Sequence, residues 1–268
     1  MHDFMADVAR GAGAVLADLF HSGAYEQENK SSWDLVTAAD LQSERLIIEA
    51  IGARFPGHGI LAEESGEHGS SDEHLWLIDP LDGTINFARG LGSWGVSIAY
   101  AHRDEVRWGM FYAPQTDELY HAQLGGGAYL NGSPLRTSGE ERLSASLVEC
   151  SASHEPWQEE AQRIALTLWP HTRSLRMTGC GVGALCALAA GKTDAMVEVD
   201  GGPWDYAAGA LIVREAGGVA TTIEGNAMAA RSPSVLAAAT GRLHTHLTDA
   251  LRGAHTPSPR QLRGTSRE

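Results

Sequence analysis

Residues 75–87 read Leu75-Trp76-Leu77-Ile78-Asp79-Pro80-Leu81-Asp82-Gly83-Thr84-Ile85-Asn86-Phe87, and the other informative segments make chemical sense around this stretch. Its four leading apolar residues predict a short buried strand that ends at Asp79, because the proline that follows holds that residue extended. Asp82 comes three positions later, Gly83 lets a ligand approach the backbone closely, and Thr84 adds a hydroxyl. Two carboxylates at one strand end suit a hard cation that faces a phosphate. The alternative is an Asx-Pro turn between core elements.

The composition limits the class of protein. The chain has 268 residues and a net charge of −14, from 20 Lys and Arg against 34 Asp and Glu. This length is enough for one large domain or for two subdomains that share a core. The acidic balance argues against nucleic acid and anionic membranes as partners, although metal ions would still allow a small anionic substrate to bind.

The cysteines and the N-terminus indicate the compartment. Cys150, Cys180 and Cys186 form no CxxC pair and have no His at zinc spacing, so we expect reduced, mostly buried thiols. The N-terminus has no charged segment followed by an apolar one, and no apolar run approaches membrane-spanning length. We therefore expect a cytoplasmic protein that makes no membrane contact.

Residues 1 to about 140 are expected to form helices packed on a largely antiparallel sheet. Apolar residues at helical spacing predict an opening helix to about residue 22. Thr37 and Asp40 have capping-box spacing before a second helix, and they mark either a simple helix start or a functional site. The predicted strands are 59–62, 94–101, 106–113 and 119–122, with an exposed loop at 67–74, a turn at Gly125-Gly126-Gly127 and a hairpin at Asn131-Gly132.

The second half alternates strands and helices, which predicts a mixed sheet. The predicted helices are 156–168, 180–190, 206–216 and 242–252, and the predicted strands are 147–151, 173–177, 195–199, 218–223 and 234–240. No repeat or linker separates the halves, so we expect one domain over residues 1–254, with its halves meeting at about residue 140. The tail at 255–268 has no apolar pattern and is expected to be disordered.

Four acids lie at or near predicted strand ends. Glu63 follows a short strand, Asp79 and Asp82 follow the central one, and Asp205 precedes the helix predicted at 206. If these carboxylates converge, their repulsion raises their pKa values and destabilises the fold unless cations lie among them. Oxygen ligands select hard cations such as Mg²⁺, and no His or Cys offers itself as a ligand, which argues against zinc. Two or three Mg²⁺ ions there would hold a phosphate ester and activate a water for in-line attack.

The sequence resembles the inositol monophosphatase family, within the Mg²⁺-dependent, lithium-sensitive phosphatases. Four signatures appear in the family's order between about residues 25 and 240: Lys30-Ser31 with Asp34-Leu35-Val36-Thr37 and Asp40; Ala62-Glu63-Glu64-Ser65; residues 79–87; and Trp204-Asp205-Tyr206-Ala207-Ala208-Gly209 with Glu215-Ala216-Gly217-Gly218. The resemblance implies an α+β fold, a layered α-β-α-β-α sandwich like that of sugar phosphatases, with an antiparallel-rich N-terminal sheet and a mixed C-terminal sheet. It also implies a phosphoric monoester hydrolase, commonly a homodimer, that uses two or three Mg²⁺ ions.

The resemblance implies a metal-binding role for five residues. Glu63, Asp79 and the carbonyl of Leu81 would hold the first Mg²⁺. Asp79, Asp82 and Asp205 would hold the second, so that Asp79 bridges the two ions. A third, looser ion would lie near Glu63, and the second ion would stabilise the leaving alkoxide.

The resemblance also implies which groups carry the reaction. The catalytic set would be Glu63, Thr84 and Asp82, in which Thr84 and Glu63 orient the attacking water; a hydroxyl and a carboxylate form a plausible activating pair. The backbone N–H groups of Gly83 and Thr84 would meet the phosphate at a helix start. Thr37 and Asp40 would position Thr84 from behind.

The substrate contacts are less defined by the resemblance. They would be Asp82, Gly83, Thr84, Gly179, Cys180, Glu198 and Asp205. The family's Gly-Thr-Ala stretch falls on Gly179-Cys180-Gly181, where a thiol replaces a hydroxyl, and Glu198 is either an inositol contact or a solvated strand-end acid. We expect the substrate to be inositol monophosphate or a related small polyol or sugar phosphate.

Other activities of the same group remain open. They are hydrolysis of histidinol phosphate, fructose 1,6-bisphosphate or a nucleoside 3′,5′-bisphosphate. Arg176-Met177-Thr178-Gly179 is followed by Cys180 instead of the Gly-Asp context of the histidinol-phosphatase branch, which disfavours that branch. A non-catalytic role in protein binding is a further alternative, since some bacterial relatives are implicated in transcription complexes. The expected partner is a small phosphorylated metabolite, with no nucleic acid.

Overall fold

The computed structural model describes residues 1–23, 25–29, 35–69, 71, 73–151, 157–199 and 201–253. In these ranges the α-helices are α1 (His2–Ser22), α2 (Ala38–Arg54), α3 (Thr84–Ala88), α4 (Gln158–Leu168), α5 (Gly181–Ala189), α6 (Pro203–Glu215) and α7 (Gly241–Gly253). The first ten strands are β1 (Gln27–Asn29), β2 (Leu35–Thr37), β3 (Gly59–Ala62), β4 (Gly66–His68), β5 (His74–Asp82), β6 (Gly95–His102), β7 (Glu105–Ala113), β8 (Glu118–Gln123), β9 (Gly127–Leu130) and β10 (Ser133–Pro134). The later strands are β11 (Leu147–Cys150), β12 (Ser174–Arg176), β13 (Ala195–Glu198), β14 (Val219–Thr221) and β15 (Val235–Ala238), and short 3-10 helices cover Leu143–Ala145 and Trp169–His171.

Helices and sheets alternate in five layers. The larger sheet has the strand order β10-β9-β8-β7-β6-β5-β3-β4 and is antiparallel except for the β3–β5 pair. The smaller sheet has the order β12-β11-β13-β15-β14, with its first three strands parallel and the others antiparallel. One apolar core lies between α1, α2 and the larger sheet, a second surrounds α5 and α6 between the sheets, and a third lies under α4 and α7. The predicted α-β-α-β-α fold is confirmed.

The N-terminal half forms as the apolar patterns predict. Helix α1 buries one face, including Met5, Ala9 and Leu16, against the larger sheet. Gly13 allows that close packing, because a Cβ at this position would lie 2.6 Å from the ring of Tyr112 on β7. A side chain there would have to displace a buried aromatic ring, so the small residue sets the distance between the helix and the sheet.

The central strand is longer than the sequence predicts. It continues past Asp79 to Asp82, and the pairing with β6 skips a position between those two residues. Pro80 therefore lies in a bulge, where its missing N–H costs no ladder hydrogen bond. The bulge brings Asp79 and Asp82 to one end of the same strand, so the predicted strand end was wrong and the predicted pairing of two acids was right.

Other boundaries differ for identifiable reasons. Helix α6 begins at Pro203 instead of residue 206, because proline is well tolerated in the first helical turn, so Asp205 lies inside the helix. The predicted loop at 67–74 contains the last two residues of strand β4 and the first residue of β5. The antiparallel pair of β1 and β2 was not predicted. Three-residue strands carry too little periodicity to be recognised in a sequence.

Some predictions lie outside the described residues. These are the contributions of Lys30, Ser31 and Asp34 to the first signature, and the disorder of the tail at 255–268. The three cysteines are free and buried, in agreement with the expectation of buried thiols. Among the described residues, no helix has the length and apolarity that crossing a membrane requires.

Candidate active site

The four acids Glu63, Asp79, Asp82 and Asp205 meet where strands β3 and β5 end. These two strands are parallel neighbours with Ala62 opposite Ile78, so their next residues, Glu63 and Asp79, emerge side by side. The backbone N–H of Glu63 donates to the carbonyl of Ile78 at 3.1 Å, which continues the pairing by one residue. Asp82 and Asp205 both lie close enough to Asp79 for their charges to raise its pKa. The structure therefore brings the predicted acids together, and we refer to the group as the acid site.

Burial and mutual repulsion dominate the electrostatics of the acid site. The pKa values of Asp79 and Asp205 lie well above the usual range for aspartate. For both groups the largest cause is removal from water, and the next is the charge of Glu63. A hydrogen bond between the Glu63 and Asp79 carboxyl groups further raises the pKa of Asp79. Buried acids that repel one another are compatible with folding only when protons or cations lie among them.

The N-terminus of α5 holds the carboxylate of Asp82. The backbone N–H of Gly181 donates to Oδ1 at 2.8 Å, and that of Gly183 donates to Oδ2 at 3.1 Å. The thiol of Cys180 donates to Oδ2 at 3.0 Å. Burial raises the pKa of Asp82, and these three donors oppose the shift. Cys180 is itself buried and directed at Asp82, so its predicted contact with substrate stays a prediction.

A short hydrogen-bonded chain lies beside the acid site. Asp40 accepts hydrogen bonds at Oδ2 from the Thr37 hydroxyl at 2.6 Å and from the Thr37 backbone N–H at 2.8 Å, which forms the capping box of α2. The Thr84 hydroxyl lies 3.1 Å from Asp40 Oδ1 and 3.0 Å from the carbonyl of Leu81, so it donates its single proton to one of two acceptors. Burial raises the pKa of Asp40, and the hydrogen bonds from Thr37 and Thr84 partly oppose it. Thr37 and Asp40 therefore cap a helix, and Asp40 is also an acceptor for the Thr84 hydroxyl. Their role in positioning Thr84 for the reaction stays a prediction.

Some supporting residues were not assigned a role from the sequence. The Asn86 amide donates to the carbonyls of Thr178 at 2.8 Å and Gly179 at 3.2 Å, and so ties α3 to the segment that leads into α5. The Ser43 hydroxyl donates to the carbonyl of Pro80 at 2.8 Å and supports the bulge. Asn86 belongs to the stretch 75–87 quoted above. A polar amide among buried positions is the feature of the sequence that could have identified it.

A cavity of about 400 Å³ opens beside the acid site. Gly83 and Thr84 line it at the start of α3, where Gly83 has φ of 91° and a Cβ would lie 2.7 Å from the carbonyl of Ser93. The remaining wall residues are Asp82, Ile85, Asn86, Glu149, Cys150, Ser151, Met177, Thr178, Gly179, Cys180, Gly181, Ala184, Met196, Glu198, Gly201 and Asp205. All the predicted substrate contacts lie on this wall. Their role in substrate binding stays a prediction.

Comparison with known protein families gives a match over nearly the whole chain. The model of the inositol monophosphatase family matches residues 1–256. The chain belongs to the inositol monophosphatase family. The resemblance that the four sequence signatures carried is thereby confirmed.

Individual members of the inositol monophosphatase family are similar in sequence and in structure. Nus factor SuhB of Salmonella typhimurium is 36% identical over 255 residues, covering 91% of this chain and 96% of the relative. A fructose-1,6-bisphosphatase/inositol-1-monophosphatase of Thermotoga maritima is 36% identical over 226 residues, covering 83% of this chain and 85% of the relative. The solved structure of an IMPase from Thermotoga maritima has a TM-score of 0.84 at 31% identity, covering 94% of this chain and 96% of the other.

These names bear on the expected partners. Relatives of similar identity carry the name of a Nus factor and the name of a phosphatase. The expectation that the protein has no nucleic acid partner is therefore not supported, and we withdraw it.

A histidine-containing group lies at the other end of β5 from the family's acid site. The potential ligand atoms of Glu73, His74 and His102 lie within 4.8 Å of one another, and within the described ranges this is the set of three or more such residues that reaches this spacing. No three of the four acids in the acid site, all of which the structure describes, meet this spacing. Glu73 already accepts two hydrogen bonds from the Arg103 guanidinium, at 2.9 and 3.2 Å. This group is unrelated to the predicted Mg²⁺ ligands.

Proposed function

We propose that the protein is a Mg²⁺-dependent phosphomonoesterase that hydrolyses inositol monophosphate or a related small polyol or sugar phosphate. The observation that carries this proposal is the convergence of four acids beside a hydroxyl and an open cavity. Burial raises the pKa values of the three aspartates, and the charges of neighbouring carboxylates raise those of Asp79 and Asp205 further. Such a site is stable when cations replace protons. Its carboxylate and carbonyl oxygens are the ligands that Mg²⁺ prefers.

The residues of the acid site fit two Mg²⁺ ions that have Asp79 as a common ligand. Glu63, Asp79 and the carbonyl of Leu81 would hold one, and Asp79, Asp82 and Asp205 would hold the other. Bound Mg²⁺ supplies positive charge that draws in the phosphate ester, activates a water molecule and stabilises the leaving oxygen. A third ion near Glu63 is part of the proposal.

The side chains of the protein orient the reactants. Asp40, fixed by two hydrogen bonds from Thr37, accepts the proton of the Thr84 hydroxyl. An oxygen lone pair of Thr84 is then free to accept a hydrogen bond from the attacking water, and Glu63 orients the same water from the other side. The backbone N–H groups of Gly83 and Thr84 meet the phosphate. The cavity wall holds the alcohol that leaves.

The test of this proposal is phosphate release from a panel of small phosphate esters, with Mg²⁺ and with EDTA. We expect turnover of inositol 1-phosphate or another polyol or sugar phosphate with Mg²⁺, and none with EDTA. Equal rates with EDTA would contradict the metal assignment. Lithium at millimolar concentration is expected to inhibit.

A second candidate function is binding of another protein without catalysis. The name Nus factor among the relatives favours it. The complete set of acids and Thr84 favours catalysis, because a binding protein has no need to keep a strained cluster of buried charge. Absence of turnover on the whole panel, combined with tight Mg²⁺ binding, is the result that favours the binding protein. Turnover of histidinol phosphate, fructose 1,6-bisphosphate or a nucleoside 3′,5′-bisphosphate in preference to polyol phosphates identifies another member activity.

The raised pKa values predict how stability depends on pH and Mg²⁺. Asp79 and Asp205 have folded pKa values above the unfolded value of about 3.9, so their contribution to stability is fully present below that pH. The contribution is lost as the pH rises through the folded pKa values, and Mg²⁺ then takes the place of the protons. We expect saturating Mg²⁺ to raise Tm by about 5–10 °C at pH 8 and much less at pH 5. Thermal unfolding with NaCl of equal ionic strength is the control, and an equal Mg²⁺ shift at both pH values would contradict the prediction.

A further inference from the structure

We propose that Glu149 is a specificity-determining residue of the cavity. Together with Glu198, it restricts the alcohol part of the substrate to groups that carry hydrogen-bond donors and no second anion. Hydroxyl and ammonium groups meet this requirement, and a second phosphate does not. The inference rests on the proposed phosphatase function and narrows its substrate class.

The smaller sheet places the two glutamates on one wall. Strands β11 and β13 are parallel neighbours, with Glu149 opposite Met196. Glu198 lies two residues after Met196, so the three side chains project from the same face of the sheet. All three line the cavity. Because both strands run in the same direction, their carboxyl ends present the two carboxylates to the alcohol side of the site.

Glu149 is held in the wall. Its side chain is 4% exposed, and its Oε2 accepts a hydrogen bond from the Thr178 hydroxyl at 3.3 Å. Burial raises the pKa of Glu149, while Thr178 and the charge of Arg176 oppose the shift. A buried carboxylate has several acceptor positions, and the hydrogen bonds from Thr178 leave some of them for a ligand. A donor group on the substrate is the partner that this position favours.

The charges around the cavity have one sign. Its wall contains Asp82, Glu149, Glu198 and Asp205, and the described part of the wall has no Lys, Arg or His. Arg176, opposite Glu149 on β12, is the cation that acts on Glu149. Its Nη1 donates to the Ser174 hydroxyl at 2.5 Å and the Leu175 carbonyl at 2.9 Å, which directs it along its own strand.

This arrangement selects between substrates by charge. The reacting phosphate lies at the acid site, where bound cations compensate its charge. A second phosphate on the alcohol would face Glu149 and Glu198 without such compensation. Hydroxyl groups would donate to the carboxylates, and an ammonium group would also gain from their charge. Like charges that face each other at short range are the stronger discriminator.

The test compares kcat and KM for inositol 1-phosphate, histidinol phosphate and fructose 1,6-bisphosphate. The wild type is expected to prefer at least one of the first two over the bisphosphate by about tenfold or more in kcat/KM. Glu149→Gln is expected to reduce this preference about tenfold, mainly through KM, because the reacting phosphate is unaffected. Glu149→Asp keeps the charge and is expected to retain most of the preference. Glu224→Gln, an equivalent change at an exposed turn, is the matched control and is expected to change nothing.

Each other outcome has a defined meaning. An active Glu149→Gln enzyme with unchanged preference overturns the inference and leaves the proposed function intact. A wild type that hydrolyses none of the three esters, or any other on the panel, overturns the proposed function and this inference with it. If Glu149→Gln does not fold, Met177→Lys tests the same charge selection from the exposed lip of the cavity, where Met177 is 54% exposed. A cation there that fails to improve use of the bisphosphate relative to inositol 1-phosphate overturns the inference.

Discussion

Asp79→Asn is expected to lower kcat/KM for phosphate release by about a thousandfold or more, while the metal-free protein stays at least as stable as the wild type. Asp79 is 1% exposed, and the charges of Glu63, Asp82 and Asp205 raise its pKa further. The amide of Asn has the same shape and carries no charge, so it removes repulsion. Its oxygen can still accept the hydrogen bond that the Leu81 N–H gives to Asp79 at 2.9 Å.

The measurement has two parts. The rate of phosphate release with Mg²⁺ shows the effect of losing the metal ligand. Thermal unfolding in EDTA and in Mg²⁺ shows how the buried negative charge and its compensation by Mg²⁺ affect stability. We expect Mg²⁺ to raise the Tm of the wild type and to leave that of Asp79→Asn nearly unchanged. Asp117→Asn is the control, because Asp117 is exposed and pairs with Arg10 on the surface, and it is expected to change neither value. A variant that is strongly destabilised in EDTA would show that Asp79 supports the fold by itself and not through a cation.

The convergence of three of the four acids follows from local rules. Glu63, Asp79 and Asp82 lie at the ends of two apolar runs that are too short for helices, and parallel neighbouring strands place their ends together. Asp205 is different, because it is more than a hundred residues downstream and no local pattern connects it with β5. The resemblance to the family was required for that step. The capping box of Thr37 and Asp40 was predictable as a helix start. The resemblance was also required for the link to Thr84, whose hydroxyl has Asp40 as an acceptor in the structure.

The residues that the sequence did not identify depend on side-chain direction. Glu149 lies on a four-residue strand, where the pattern of apolar residues does not decide which face a carboxylate takes. The register with β13 settles this, because it places Glu149 beside Met196 on the cavity face. Asn86 lies inside the signature, but two of its three carbonyl partners are more than ninety residues away. A sequence signature identifies residues that meet at the site, and long-range register identifies those that shape it.

Thr84→Val is expected to lower kcat by about 100-fold or more with little change in KM, because it removes a group that acts on the water and not on the bound ester. Valine has nearly the same volume as threonine and cannot accept or donate a proton. Asp40→Asn is expected to give a similar loss, since an amide is a weaker acceptor for the Thr84 proton at 3.1 Å than a carboxylate. If both variants act through the same hydrogen bond, the double variant loses little more than either single one.

Thr84→Ser is the matched control, because it keeps the hydroxyl and removes only the methyl group. It is expected to retain most of the activity, and Mg²⁺ is expected to raise its Tm as it does for the wild type. A Thr84→Val enzyme with normal kcat would show that Glu63 activates the water alone. A rise in KM with unchanged kcat would assign Thr84 to phosphate binding instead. The two roles that the hydroxyl can have, with the water or with the phosphate, are thus separated by the kinetic constant that changes.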